Sequence, residues 1–380
     1  MESPKKKFLE PIMLLLFLSF FLFLFGSQMG LGNMFKTIMY TAHDLLLNTV
    51  FFIMAVAVLT GALSGLLSEF GVVRLLNKLL SPLMKPLYDL PGAAAIGIIT
   101  TYLSDNPAIL TLVKDRNFIR CFKQYQLPLM CNLGTSFGMG LMLTTFMIAQ
   151  SAIAGYSLLI PVLIGNLAAF FGSVISVRIM SLYTKKAFRN TTGFGEVNLP
   201  IQESSFHEKS VFERFMDATL EGGKNGVDLG LSIIPGVLII STFIMMLTYG
   251  PTSPEGYSGA AYEGIAVLPW LGEKLFWALK VLFGFTSPEL IAFPLTSLGS
   301  TGAALALVPK FIADGTLMPN DVAVLTAIGM CWSGYLSTHV AMMDSLGSRN
   351  LVGKAIFSHT IGGISAGIIA HLLYNLISLN

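Results

Sequence analysis

Apolar residues follow one another along this chain in windows too long and unbroken for the core of a water-soluble domain. Seven windows, 11–31, 46–68, 127–150, 156–182, 226–249, 321–343 and 355–378, each predict a helix able to cross a bilayer, because about 20 helical residues span ~30 Å of hydrocarbon. Two further stretches, 92–113 and 288–312, are as apolar at their ends but broken in the middle by small and polar residues: Ser104-Asp105-Asn106-Pro107 in the first, Thr296 to Ala303 in the second. The stretch 183–225 is the one long polar piece, read as a cytoplasmic loop with a short amphipathic helix at 209–221.

Lys and Arg orient the helices, since cytoplasmic loops carry the excess. Lys5, Lys6 and Lys7 place the N-terminus inside. Lys114, Arg116, Arg120 and Lys123 do the same for one loop, Arg178, Lys185, Lys186 and Arg189 for the long loop, and Arg349 with Lys354 for the last. The loop 250–265 has neither Lys nor Arg and belongs outside, as does the C-terminus after seven spans. This arrangement closes only if 92–113 and 288–312 enter and leave by the same side, the first from the cytoplasm and the second from the opposite face.

Pro91 aligned on Pro288 lays LPGAAAIGIITTYLSDNPAILTLVKD over SPELIAFPLTSLGSTGAALALVPKF. A lysine-bearing amphipathic segment precedes each stretch, and a polar-studded helix and one more span follow it. The expectation is an all-α polytopic membrane protein with two inverted-topology repeats. Residues 1–44 form an N-terminal transmembrane helix and connector, 45–182 the first repeat, 183–225 the cytoplasmic loop and 226–378 the second repeat, each repeat with a re-entrant helical hairpin. Inverted repeats with broken helices place a transporter's site near the midplane, where the repeats meet.

Composition agrees. Of 380 residues 54% are hydrophobic and 12% charged, half the ~25% charged fraction of soluble domains. The net charge of +2 says nothing about partners, and nucleic acid is not expected among them. The first apolar run is longer than a signal-peptide core and no Ala-x-Ala site follows it, so a retained first helix is expected. Cys121, Cys131 and Cys331 show no paired spacing and no disulfide framework.

The sharpest residue is Asp105. A carboxylate near mid-membrane costs about 2.5–3.5 kcal/mol on insertion scales, and such residues mark cavities and ion or proton paths. A plain surface turn, with Asp105 capping the helix at Pro107, is the competing reading. Ser104, Asp105 and Asn106 are candidate solute ligands on one hairpin, and Ser297, Ser300 and Thr301 on the other. The helices that follow add Asn132, Thr135 and Ser136, and Ser333, Ser337 and His339; interhelical packing would account for half of these. Asp105 is also the candidate site of a coupling ion, H⁺ or Na⁺. His359 and His371 lack polar company and read as structural, Glu289 as interfacial, and Asp344 as a helix-end cap. No phosphate loop, HExxH, paired-Cys set or GxSxG elbow is present, which argues against an enzyme, and no cofactor is expected.

At GIITTYLSDNPAILTL and SPELIAFPLTSLGSTGAALAL the chain resembles the nucleoside-recognition, or Gate, domain family of bacterial membrane proteins, including the spore maturation A/B and YjiH-like kinds. More distantly it is similar to concentrative nucleoside transporters. That resemblance implies a site with Ser104, Asp105, Asn106 and Asn132 on one side and Ser300, Thr301, Ser333 and Ser337 on the other, although the Gln-Thr-Glu-like hairpin tip of those transporters is absent here. The function expected is secondary transport of a small polar solute, nucleoside-like or other, coupled to H⁺ or Na⁺, in the bacterial cytoplasmic membrane and among its lipids. A homodimer is plausible by analogy with elevator-type carriers. The alternatives are a non-transporting membrane scaffold of the spore-maturation type and a channel component.

Overall fold

The structure, a computed structural model, describes residues 4–113, 116–189 and 209–378. Lys114 of the first basic loop and His207 and Glu208 of the long loop lie outside that set, as does the side chain of Ser337. Among the described residues six helical segments are long and apolar enough to cross a membrane: Leu9–Met29, Leu31–Glu69, Gln124–Ala154, Leu159–Ala187, Val211–Thr248 and Arg349–Ser378. The chain folds as a multi-pass helical membrane protein.

The first repeat begins after the peripheral helix α1 (Pro4–Met29). Helices α2 (Leu31–Asp44) and α3 (Phe51–Glu69) form one long rod through a π-helical stretch, Leu45–Val50. Then come the amphipathic α4 (Val72–Tyr88) and a hairpin of α5 (Ala94–Leu103) and α6 (Pro107–Leu112). A broken helix, α7 (Leu129–Thr135) and α8 (Gly140–Ala149), leads to α9 (Leu159–Ala187). The second repeat follows the same order. Its rod is α10 (Val211–Pro235), a π stretch at Gly236–Ser241 and α11 (Thr242–Thr248). Next are the amphipathic α12 (Val267–Phe283) and a hairpin of α13 (Ala292–Ser297), α14 (Thr301–Leu305) and α15 (Val308–Ala313). The broken pair α16 (Pro319–Cys331) and α17 (Tyr335–Ser345) and the final α18 (Val352–Ser378) complete it.

Small residues bring the two repeats together. On α3, Ala57, Gly61 and Gly65 are spaced by four; on α10, so are Ala218, Gly222, Gly226 and Gly230. A Cβ on Gly61 would run into the Gly222 carbonyl, one on Gly65 into that of Ala218, and one on Gly226 into that of Ala57. The pairing order reverses along the chain, so the rods cross antiparallel at backbone contact, a small-xxx-small packing. Gly172 against Ala366 and Gly362 makes the same reversed contact between α9 and α18.

Equivalent corners recur in atomic detail. α4 ends on Asp89 and α12 on Gly284, both left-handed, at φ 60° and 65°. The Gln126 side-chain amide donates to Asp89 O at 2.6 Å, and that of Asn320 to Gly284 O at 3.1 Å. The broken helices are also equivalent: Met139, φ 56°, restarts one and Gly334, φ 62°, the other.

Several expectations need correction. Residues 31–44 are helix rather than connector, because the apolar periodicity continues through them into α3. The polar loop ends before Val211, where Ser210 caps a helix that runs straight on as α10: its side chain accepts from Glu213 N, and Glu213 reaches back to the Ser210 amide. The spans read at 127–150 and 321–343 are each two helices with a break between them. His359 and His371 do have polar company: Ser176 and the Cys331 carbonyl for one, Asn320 for the other.

Candidate functional site

Leu103 ends α5 because Ser104 leaves helical geometry (φ −130°, ψ −104°) and Pro107 restarts the chain as α6. Proline has no N–H to lose at a helix start, and it disfavours helix in the residue before it. The tip between is the Ser-Asp-Asn interruption. Asp105 turns one carboxylate oxygen back onto the Asn106 amide at 2.7 Å rather than reaching forward to cap α6. Asn106 is 3% exposed; its side-chain N–H donates to Ser333 O at 2.5 Å, while its Oδ1 is buried without a partner among the described residues. Gly138, in the break of the first repeat, closes over that oxygen, and a Cβ there would overlap it. The first tip is thus clasped between the two breaks.

A cavity of about 840 Å³ opens beside this tip. Ser104 and Asp105 line it from the hairpin, and Thr60, Ser64, Glu69, Glu221, Asn225 and Ser232 from the α3–α10 crossing. Gly61, Gly65, Gly222 and Gly226 leave its floor without side chains. The volume lies within the 300–1,000 Å³ range of small-molecule sites. At its rim Arg214 pairs with Glu69 at 2.6 Å.

The second tip is closed instead. Ser300 caps α14, its hydroxyl accepting from Ala303 N at 3.2 Å, and Thr301 donates to Gly329 O at 3.1 Å. Ser241, at the end of the π stretch, donates to Ala303 O at 2.9 Å. Gly334 N bonds Ser297 O at 3.2 Å, so the second tip sits on the break of its own repeat. Asn106 on Ser333 and Gly334 on Ser297 therefore link the two tips through Trp332–Gly334.

Of the residues flagged in the sequence, Ser104 and Asp105 face the cavity, and Asn106 locks the tip. Asn132, Thr135, Ser136, Ser297, Ser300, Thr301 and His339 form bonds away from it, and Ser333 offers its carbonyl to Asn106. Thr135 and Ser136 donate to Cys131 O and Asn132 O, one turn back. Ser297 donates to Phe293 O. Asn132 is fully buried, donating to Ser176 Oγ and Ala355 O. His339, also fully buried, bonds Tyr335 O through Nδ1 at 2.9 Å, and its Nε2 has no partner among the described residues. That α3 and α10 supply the cavity's other walls escaped the sequence reading; the signal that could have found them is the spacing of small residues by four on both helices, which suits a close crossing.

No family model and no curated protein matches the sequence. Solved structures do match in fold. A structure of CNTnw in an inward-facing substrate-bound state superposes with a TM-score of 0.55 at 16% identity, over 85% of this chain and 74% of that one. An outward-facing variant of CNTnw gives 0.53 at 16% identity over 88% and 80%, and a variant in an intermediate state 0.54 at 16% identity over 87% and 79%. At this identity the likeness is one of architecture: the chain has the fold of CNTnw, a concentrative nucleoside transporter.

Proposed function

We propose that this protein is a secondary active transporter of a small polar solute, nucleoside-like or of similar size, driven by H⁺ or Na⁺. The observation that carries the reading is the cavity of about 840 Å³ at a broken, acid-bearing hairpin tip. The fold supports it, because its solved examples include inward-facing, intermediate and outward-facing states of one carrier.

Ser104 and Asp105 would meet the solute from the hairpin, and Asn225, Ser232 and Thr60 from the crossing. The coupling cation would belong at the tip, where the Asp105 carboxylate offers oxygen ligands and helix breaks free backbone carbonyls. The distribution of Lys and Arg supports a bacterial cytoplasmic-membrane location with the N-terminus inside and the cavity open to the cytoplasm. Ser300, Thr301, Ser333 and Ser337 would join the site only if the second hairpin opens during the cycle. A homodimer remains part of this reading.

Uptake of radiolabelled uridine and adenosine into proteoliposomes, with and without inward H⁺ or Na⁺ gradients, tests it. Gradient-stimulated uptake that Asp105→Asn abolishes is expected. Uptake indifferent to both gradients overturns the coupled-carrier reading in favour of a channel, and no uptake with a broad solute panel overturns it in favour of a scaffold.

A further inference from the structure

We propose that His359 is a positioning residue that sets the broken segment Trp332–Gly334, and through it the carbonyl that holds the first hairpin tip. The inference deepens the transport reading, on which its functional meaning rests.

His359 lies on α18 and is fully buried. Its Nε2 stands 2.5 Å from Cys331 O, the last carbonyl of α16 before the break. A carbonyl only accepts, so Nε2 carries the hydrogen. Its Nδ1 stands 3.0 Å from Ser176 Oγ. That hydroxyl oxygen already accepts an N–H from Asn132 at 3.0 Å, and its own hydrogen turns to Nδ1. One directional chain results, Asn132 to Ser176 to His359 to Cys331 O. It begins on the broken helix of the first repeat and ends at the break of the second.

Two further bonds tie the same break to α18. Trp332 Nε1 donates to His359 O at 3.4 Å, and Tyr335 Oη pairs with Thr360 Oγ1 at 2.8 Å. The ring of His359 lies 5.2 Å from Tyr335 and 4.7 Å from His339, so it also packs the start of α17. Ser333, inside this clamp, presents its carbonyl to Asn106. His359 touches neither the cavity nor the tip. It acts through the backbone it holds.

The test is labelling of Thr101→Cys, a fully buried reporter one turn before the tip, by a membrane-permeant maleimide in proteoliposomes without solute. The native cysteines, buried here, are replaced by alanine in the reporter background, which leaves the Cys331 backbone carbonyl in place. Gln places its amide N–H where Nε2–H was, whereas Asn places it near Nδ1. His359→Gln is expected to label within about twofold of the reporter alone. His359→Asn is expected to label about tenfold faster, the equilibrium shift that one lost hydrogen bond produces. Equal acceleration by both substitutions would reduce His359 to packing and overturn the proposal. If neither variant folds, ¹⁵N spectra of the histidine-labelled protein decide: an Nε2–H tautomer at His359 is expected, and an Nδ1–H tautomer overturns it. No outcome depends on transport, so a failed uptake assay leaves this result standing.

Discussion

The side-chain amide of Asn106 donates to the backbone carbonyl of Ser333, 2.5 Å away across 227 residues of sequence. A hairpin tip of the first repeat is thereby fastened to a helix break of the second. Gly138 packs so closely on the other side of Asn106 that a Cβ would occupy the space of its Oδ1.

That contact makes Asn106 and Gly138 one energetic unit. Gly138→Ala should destabilise the protein by about 1–3 kcal/mol, the usual cost of overpacking. Asn106→Ala should cost about 1–3 kcal/mol through the orphaned Ser333 carbonyl. The double variant should be more stable than the sum of the two by at least about 1 kcal/mol, because removing the amide makes room for the methyl. Reversible unfolding in mixed micelles measures the cycle; simple additivity would show that the two residues do not share space.

The crossing of α3 and α10 predicts a contrast between neighbouring glycines. Gly222→Ala drives a methyl into the Gly61 carbonyl, whereas a Cβ on Gly223 meets nothing nearer than Val58 Cγ1 at 3.6 Å. The first change should lose about 1–3 kcal/mol. The second should be neutral or gain up to ~1 kcal/mol from helix propensity. Thermal unfolding of the two variants checks this, and equal effects would mean that the crossing is looser than backbone contact.

Outside the membrane, Glu263 is a pH-sensitive pin. It is fully buried in the loop that joins α11 to α12, and accepts from Thr252, Ser258 and Gly259 through backbone and side-chain donors. Burial alone would raise its pKa, but hydrogen bonds from Ser258, Thr252 and Gly259 outweigh it and hold the carboxyl at about 2. The same loop is stitched to α2: Asn33 donates to Tyr257 O, Thr37 to Ala260 O, and Tyr262 N to Thr41 Oγ1. With the folded value below the unfolded one, this stabilisation is complete above the ordinary carboxylate pKa of about 4.3 and fades as pH falls towards 2. Hydrogen-exchange protection across 252–265, taken relative to the intrinsic rate at each pH, should therefore fall between about pH 4.5 and 2. Glu263→Gln should exchange fast at neutral pH and lose the acid dependence; an unchanged profile would refute the pin.

How much of this was legible in the sequence depends on separation along the chain. The interrupted stretches showed themselves because Asp105-Asn106-Pro107 violates an apolar run locally. The repeat showed itself because its elements recur in order. The breaks at 136–139 and 332–334 were hidden: glycine and hydroxyl residues are tolerated within membrane helices, and only Gly138 and Gly334 mark where the chain leaves the helix. His359 looked solitary because its partner Ser176 is 183 residues away. The cavity walls on α3 and α10 were equally invisible, since they arise from an antiparallel crossing of two segments far apart in sequence.

The paired corners at Gln126 and Asn320 give the internal symmetry an energetic test. Asp89 and Gly284 each end an amphipathic helix in the left-handed region, leaving a carbonyl that the helix cannot bond. Gln126 serves the first carbonyl, and Asn320 serves Gly284 O and also Phe283 O, at 2.9 Å. The surroundings differ. Asp89 is further held by Lys185, at 2.6 Å, and by the Tyr125 hydroxyl, whereas Asn320 accepts from His371 at 2.8 Å through its own Oδ1. Gln126→Ala removes the bond to Asp89 O and the one its Oε1 accepts from Lys123 N at 2.9 Å, and should cost about 1–2 kcal/mol at a corner with other supports. Asn320→Ala removes the partner of two carbonyls and of His371, and should cost about 2–3 kcal/mol. His371→Ala in the Asn320→Ala background should add little, because the imidazole has already lost the amide. Unfolding free energies of the four proteins decide it. A cost at Asn320 no larger than at Gln126 would show that the second corner is held by packing rather than by its amide.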